Sequence, residues 1–231
     1  MARHQQRGFS LVELMVGITV GLIAVAGAST VAVHQLTEHK RLALEAQTQQ
    51  ELRAAGEIMA RELRKAGSWG SPELGLWSER NPAPRVNPYT ELNVGDDGRR
   101  IEFSYSKSLD MAADFGTDNA TVPAEDERRG FRLKGQQLEF KLGSGGYQPL
   151  TDPATLVITH FEAKVIATSS QLASRCFKPC EPGNDQCPPQ LTVRSVQIAV
   201  EGYARHDSQV KRRLNFTTRL SADQLSGSCQ A

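Results

Sequence analysis

Apolar residues are gathered in this chain rather than spread along it. From Phe9 to Val33 the only charge is Glu13; the rest is Leu, Val, Ile, Ala, Gly and Met with a few Ser and Thr. As a helix rising about 1.5 Å per residue, the segment reaches about 37 Å, enough to cross a bilayer core of about 30 Å. Beyond it the pattern turns amphipathic. Between Gln35 and Ala66 there is no proline and one glycine, Gly56, among abundant strong helix formers, so the helix is expected to continue. Leu52, Ala55, Met59, Leu63 and Ala66 recur at helical steps, which predicts a buried stripe, while Glu51, Arg53, Glu57, Arg61, Glu62 and Arg64 read as the solvated faces. Gly67 is a candidate C-cap, followed by the break Gly70-Ser71-Pro72. The reading is one helix over 9–66, spanning a membrane over 9–33 and packed on a globular domain over 34–66. Gly17, Gly21 and Gly27 are its weak points.

After the helix the periodicity shortens. Residues 67–100, with Asn81-Pro82-Ala83-Pro84 and Gly95-Asp96-Asp97-Gly98, read as a long irregular connection. Alternating segments follow at Ile101–Tyr105, at Phe131–Lys134 and Leu138–Leu142 around Gly135, at Leu156–Ile166 and at Val193–Tyr203. Val196, Ile198 and Val200 are expected to be answered by Leu214, Phe216 and Leu220 across a turn at 206–209. Residues 106–130, rich in Asp, Ala, Gly and Thr, resemble a surface insertion. The fold class predicted is α+β: a long N-terminal helix packed on an antiparallel sheet within residues 67–231.

Composition narrows the functions. At 231 residues one ordinary core is the default, and a net charge of +1 with a mean hydropathy of -0.41 provides no global field for nucleic acid. Lys211-Arg212-Arg213 reads as solvated strand surface, so no nucleic-acid partner is expected. His4, His34, His39, His160 and His206 form no local catalytic or metal-binding pattern, and the acidic loops at 114–118 and 184–185 lack calcium-site spacing. Neither an enzyme nor a metal or other cofactor is predicted. Cys176, Cys180, Cys187 and Cys229 lie around a proline-rich loop over 174–190. An oxidising compartment favours two disulfides over a four-thiolate zinc site, with Cys229 joined to one of the other three and the connectivity left open.

The remaining signal is Glu13. A carboxylate inside an apolar helix costs about 2.5–3.5 kcal/mol at mid-bilayer. Ahead of the helix stand Arg3, His4 and Arg7, and behind it Glu38, His39, Lys40 and Arg41 mix signs, which favours a cytoplasmic N-terminus and a domain on the far side. Cleavage after Gly8 would make Phe9 a free amine one helical turn from Glu13, a cation able to neutralise the acid.

The run Gly8-Phe9-Ser10-Leu11-Val12-Glu13-Leu14-Met15 resembles the prepilin signal of type IV pilins and type II secretion pseudopilins. The resemblance implies that residues 1–8 are a leader removed by prepilin peptidase between Gly8 and Phe9, and that Phe9 is N-methylated. It also implies that Glu13 attracts the terminal amine of a neighbouring subunit during assembly. Arg61–Gly67 and Leu214–Leu220 are similar to minor pilins of the PilW type and to J-type minor pseudopilins. That likeness implies a minor pilin in a tip complex that starts polymerisation, with other minor pilins, the major pilin, prepilin peptidase and the inner membrane as partners. The chain would be a single-pass protein of the bacterial inner membrane with its C-terminal domain in the periplasm, and then part of a pilus at the cell surface. The alternatives are a minor pseudopilin of type II secretion, or a periplasmic binding protein or enzyme released by signal-peptide cleavage near Ala26-Gly27-Ala28.

Overall fold

The computed structural model describes residues 10–75, 85–107 and 122–229. The chain divides into two units, Met1–Ala46 and Gln47–Ala231. Helix α1, Leu11–Lys65, begins in the first and ends in the second.

In the first unit every described residue from Ser10 to Ala43 is exposed. The helix runs unbroken through Gly17, Gly21 and Gly27, beside which a methyl group would meet nothing within 4 Å. Its hydroxyls are satisfied internally: Thr19 donates to the Val16 carbonyl at 2.9 Å, Ser29 to Val25 at 2.8 Å, Thr30 to Gly27 at 2.8 Å and Thr37 to Val33 at 2.9 Å. That back-bonding removes the hydroxyls' demand for water, which hydrocarbon cannot supply.

In the second unit the end of α1 buries the predicted stripe of Leu52, Ala55, Met59, Leu63 and Ala66. Around it are two antiparallel sheets. The first contains β1 (Leu92–Gly95), β2 (Arg100–Ser104), β3 (Arg128–Lys134), β4 (Gln137–Leu142) and β5 (Tyr147–Pro149) in sequential order. The second contains β6 (Leu156–Gln171), β7 (Gln190–Ala204) and β8 (Asp207–Arg219), with the short β9 (Gln224–Ser226) also pairing β7. Ile101, Phe103 and Phe131 from the first sheet join Phe161, Ile198 and Val200 from the second and the helix stripe in one core. Gly56 lets α1 approach β8 closely, because a methyl there would collide with Leu214.

Several details depart from the sequence pattern. It pointed to one sheet; the domain has two, since β1–β5 pair among themselves and β6–β9 among themselves, and β1 and β5 are too short to show a period. Ile198 and Val200 pair with Phe216 and Leu214 as expected, but Val196 faces Thr218, and Leu220 lies past β8, its N–H donating to the Arg194 carbonyl at 3.0 Å. The turn is at Arg205-His206, one residue pair rather than the four expected, since β8 starts at Asp207. Within the predicted insertion, 108–121 lie outside the described residues, as does Asn81-Pro82-Ala83-Pro84, and β3 already begins at Arg128. The two sides of 108–121 meet at buried Glu127, which accepts from the Lys107 N–H at 3.0 Å, the Ala124 N–H at 2.9 Å and the Tyr89 hydroxyl at 2.9 Å. Lys107 Nζ also donates to Asp126 at 2.8 Å, which holds that carboxyl below its usual range.

The end of α1 is a polar knot. Glu62, assigned to solvent by its charge, is buried; it accepts from the Tyr105 hydroxyl at 2.8 Å and has Arg61 and Lys65 at 3.6 and 3.7 Å. Arg129 Nε reaches the same hydroxyl at 3.2 Å. A buried acid is tolerated because each oxygen has a donor or a cation beside it. Burial, and then the hydrogen bond to Glu62, push the Tyr105 phenol above its ordinary value of 10.0. Gly67 then turns the chain at φ 81°, its N–H donating to the Ser104 carbonyl at 2.9 Å and its own carbonyl accepting from Asn87 Nδ2 at 2.7 Å.

Two outcomes follow for the full-length protein in detergent. Gly67→Ala should cost about 1–2 kcal/mol in denaturant unfolding from the left-handed backbone alone, and more from collision with Ala222, whose Cβ would lie 2.7 Å away. Between pH 10 and the folded Tyr105 value the native state keeps a proton that the unfolded chain has lost. Stability should therefore fall as pH rises through that window, and Glu62→Gln should move the phenol's titration, followed by ultraviolet difference absorbance, back toward the ordinary value.

Candidate assembly site

The first turn of α1 holds Glu13, the third residue of the described helix. A carboxylate there is favoured by the helix dipole, whose positive end is the unpaired N–H groups of that turn. Gly8 and Phe9 lie outside the described residues. Among the described residues no cation reaches Glu13, and its neighbours Leu11, Val12, Leu14 and Met15 are all more than half exposed. The chain therefore leaves both the acid and the apolar surface around it for something else to cover. By length and composition α1 is a candidate membrane span, with a window of mean hydropathy 2.2 near the N-terminus, none of it buried within the chain.

The cysteines gather at the far end of the long β6–β7 hairpin. Cys176 is bonded to Cys229 with Cα atoms 5.3 Å apart, and Cys180 to Cys187 at 5.5 Å, leaving no free thiol. The sulfurs of Cys176, Cys180 and Cys187 lie within 4.8 Å of one another, so the two bridges sit side by side. The first bridge ties the C-terminal segment to the loop over 172–189; the second closes a short ring inside it. With all four sulfurs spent in bridges, the arrangement is a staple and holds no zinc-binding thiolate. Spacing could not choose among the connectivities because the loop carries no periodic pattern that places one cysteine against another.

The remaining candidate chemistry stays dispersed. His160 on β6 has Glu162 at 4.0 Å, His206 occupies the β7–β8 turn, and His34 and His39 lie on α1. Of the basic run on β8, Lys211 and Arg213 are exposed, and Arg213 pairs with Glu201. The outer face of the first sheet carries a network in which Tyr147 donates to Glu102 at 3.0 Å while Arg132 lies 3.8 Å over its ring and pairs with Glu139 at 2.6 Å. Burial and Glu102 push the Tyr147 phenol up. Sequence reasoning missed the outer reach of the hairpin, where β6 continues to Gln171 and β7 begins at Gln190. The signal was present in Val165-Ile166-Ala167-Thr168, but the following Ser169-Ser170-Gln171 reads as loop composition.

Comparison with known proteins bears on both ends of the chain. No curated protein and no solved structure matches it. Residues 3–29 match the prokaryotic N-terminal methylation motif, which contains Gly8, Phe9 and Glu13, and residues 41–220, most of the chain, match the model of prepilin peptidase-dependent protein B. With that motif at the head of an apolar helix and that family over the domain it enters, the chain is a type IV pilin-like protein belonging to the prepilin peptidase-dependent protein B family.

Proposed function

We propose that the chain is a minor pilin of the PilW kind, which helps to start and assemble a type IV pilus and whose work is assembly rather than catalysis. The observation that carries this reading is the helix surface from Ser10 to Ala43, which the chain leaves wholly exposed, with Glu13 the lone acid of its apolar part over 10–33 and inside the methylation motif. Before assembly the bilayer covers that surface, with the domain in the periplasm. In the filament, neighbouring helices replace lipid, and van der Waals packing among Gly, Ala, Ser and Thr positions takes over from acyl chains. Glu13 then sets axial register, since a carboxylate in hydrocarbon requires a cation, and the amine of Phe9 on the next subunit, freed by prepilin peptidase and methylated, supplies it. Other minor pilins and the major pilin are the partners in this reading. A minor pseudopilin of type II secretion would use the same interactions; loss of surface pili in a deletion strain supports the pilus, and loss of secretion with pili intact supports the secretion machine.

N-terminal sequencing with intact mass should give a mature chain beginning at methylated Phe9, whereas a start near Ser29 would overturn the reading. Glu13→Ala should insert into the membrane normally, because the substitution makes the helix more apolar. Removing one partner of a buried ion pair costs about 3–5 kcal/mol, so the variant's recovery in sheared filaments should drop by on the order of tenfold or more. Wild-type recovery would remove the charge-pairing role.

A further inference from the structure

Strand β6 is the open edge of the second sheet. β7 pairs along its length on one side; on the other, no described backbone group pairs with it between Lys164 and Gln171. The inner part is covered, because the turn at Asp96–Gly98 comes against Glu162 and Ala163, 3.1 and 3.3 Å from where a Gly98 methyl would stand. From Lys164 outward every residue of the strand is exposed.

The two edges of this sheet differ in chemistry. β8 carries Lys211, Arg212, Arg213 and Arg219, the kind of charged edge that repels an incoming strand. Val165-Ile166-Ala167-Thr168-Ser169-Ser170-Gln171 holds no charge and no proline, and the register irregularity of β6 lies far back, between Ile158 and His160. A long, regular, uncharged edge with unpaired N–H and C=O groups is a template for strand addition. It also borders an apolar strip. The pairings Thr168↔Val193, Ser170↔Leu191 and Leu191↔Leu225 put these residues on one face with Ile166, and Ile166 and Leu225 are 45% and 65% exposed.

We propose that a second copy of this chain occupies the edge, β6 against β6, antiparallel about Thr168. The segment is complementary to itself in that register. Ile166 meets Ser170, Ala167 meets Ser169, Thr168 meets Thr168, and Lys164 faces Leu172, so no like charges are opposed. Cross-strand Thr–Thr pairs are favourable, and an isologous contact requires only one patch. A two-fold axis normal to the sheet keeps both apolar strips on the same side, where they merge. The edge is preformed: the Ser169 and Thr192 hydroxyls bond at 2.8 Å across the hairpin, and the two disulfides hold the loop at its end, so little ordering is left to oppose association.

The test uses full-length mature protein in detergent, with sedimentation analysis of wild type, Thr168→Lys, Thr168→Glu and an equimolar mixture of the two variants. Thr168 is exposed, and unchanged circular dichroism will show that both variants fold. A concentration-dependent wild-type dimer is expected, weakened on the order of tenfold in either variant alone and restored in the mixture, where opposite charges meet on the axis. A monomeric wild type would overturn the proposal and leave the edge to a strand of some other subunit. A dimer indifferent to either substitution would equally overturn it and assign association to the apolar helix, and a mixture no tighter than its components would exclude the Thr168 register. None of these results depends on where the leader is cut, so this inference and the pilus reading fail separately.

Discussion

A helix surface that the chain does not bury sets the terms for the rest of the molecule. Over Ser10–Ala43 no side chain of α1 finds cover within the protein, and the apolar residues there are too many to leave in water. The segment's apolar part over 10–33 suits surroundings without water: the Thr19, Ser29 and Thr30 hydroxyls bond their own backbone, and its single acid, Glu13, stands at the end where the helix dipole favours it. The same helix then changes solvent within a few turns. From Thr48 onward one stripe is buried by the domain while Arg53, Glu57, Arg61 and Arg64 remain in water. A uniformly apolar helix could not dock one-sidedly, and a uniformly amphipathic one could not cross hydrocarbon.

The domain must therefore grip a helix by its last few turns, and the end of α1 shows how. Packing of Leu52, Met59 and Leu63 supplies burial, but a smooth apolar stripe can rotate or slide. Glu62 fixes it: Arg61 and Lys65 travel with the helix, but the buried carboxylate's bond from the Tyr105 hydroxyl would be lost if the helix slid by a turn. Gly67 completes the lock by ending the helix in a left-handed turn joined to β2 at Ser104 and to Asn87. The Ser221 N–H, from the segment between β8 and β9, donates to the Arg64 carbonyl at 3.1 Å, so both sheets hold the final turn.

How much of this the sequence discloses depends on the length of the pattern. The helix, its stripe, the C-cap at Gly67 and the hairpin around Gly135 are legible because each repeats a period or uses a residue with one conformational role. The methylation motif is legible because an acid in an apolar run is costly until a cation meets it, so its mere presence points to a partner. Glu62 is not: charge suggested solvent, and the helix cations Arg61 and Lys65 make its burial tolerable only together with the hydroxyl of Tyr105, brought in from just beyond β2. Division into two sheets is hidden too, since β1 has four residues and β5 three. Cysteine spacing announced bridges without connectivity, and polar Ser169–Gln171 concealed the end of a strand that pairing with β7 extends.

Edges decide what a β domain leaves available once its core is closed. In the second sheet, β8 carries cations and β9 is three residues long, features that resist further pairing. The outer part of β6 has neither, and it adds little to the core, which includes no residue of that strand beyond Ala163. Rigidity there cannot come from burial, and two disulfides with a cross-strand hydroxyl pair supply it instead. Covalent bracing of a segment outside the core has a physical consequence: it holds a strand edge in the geometry that another backbone would require.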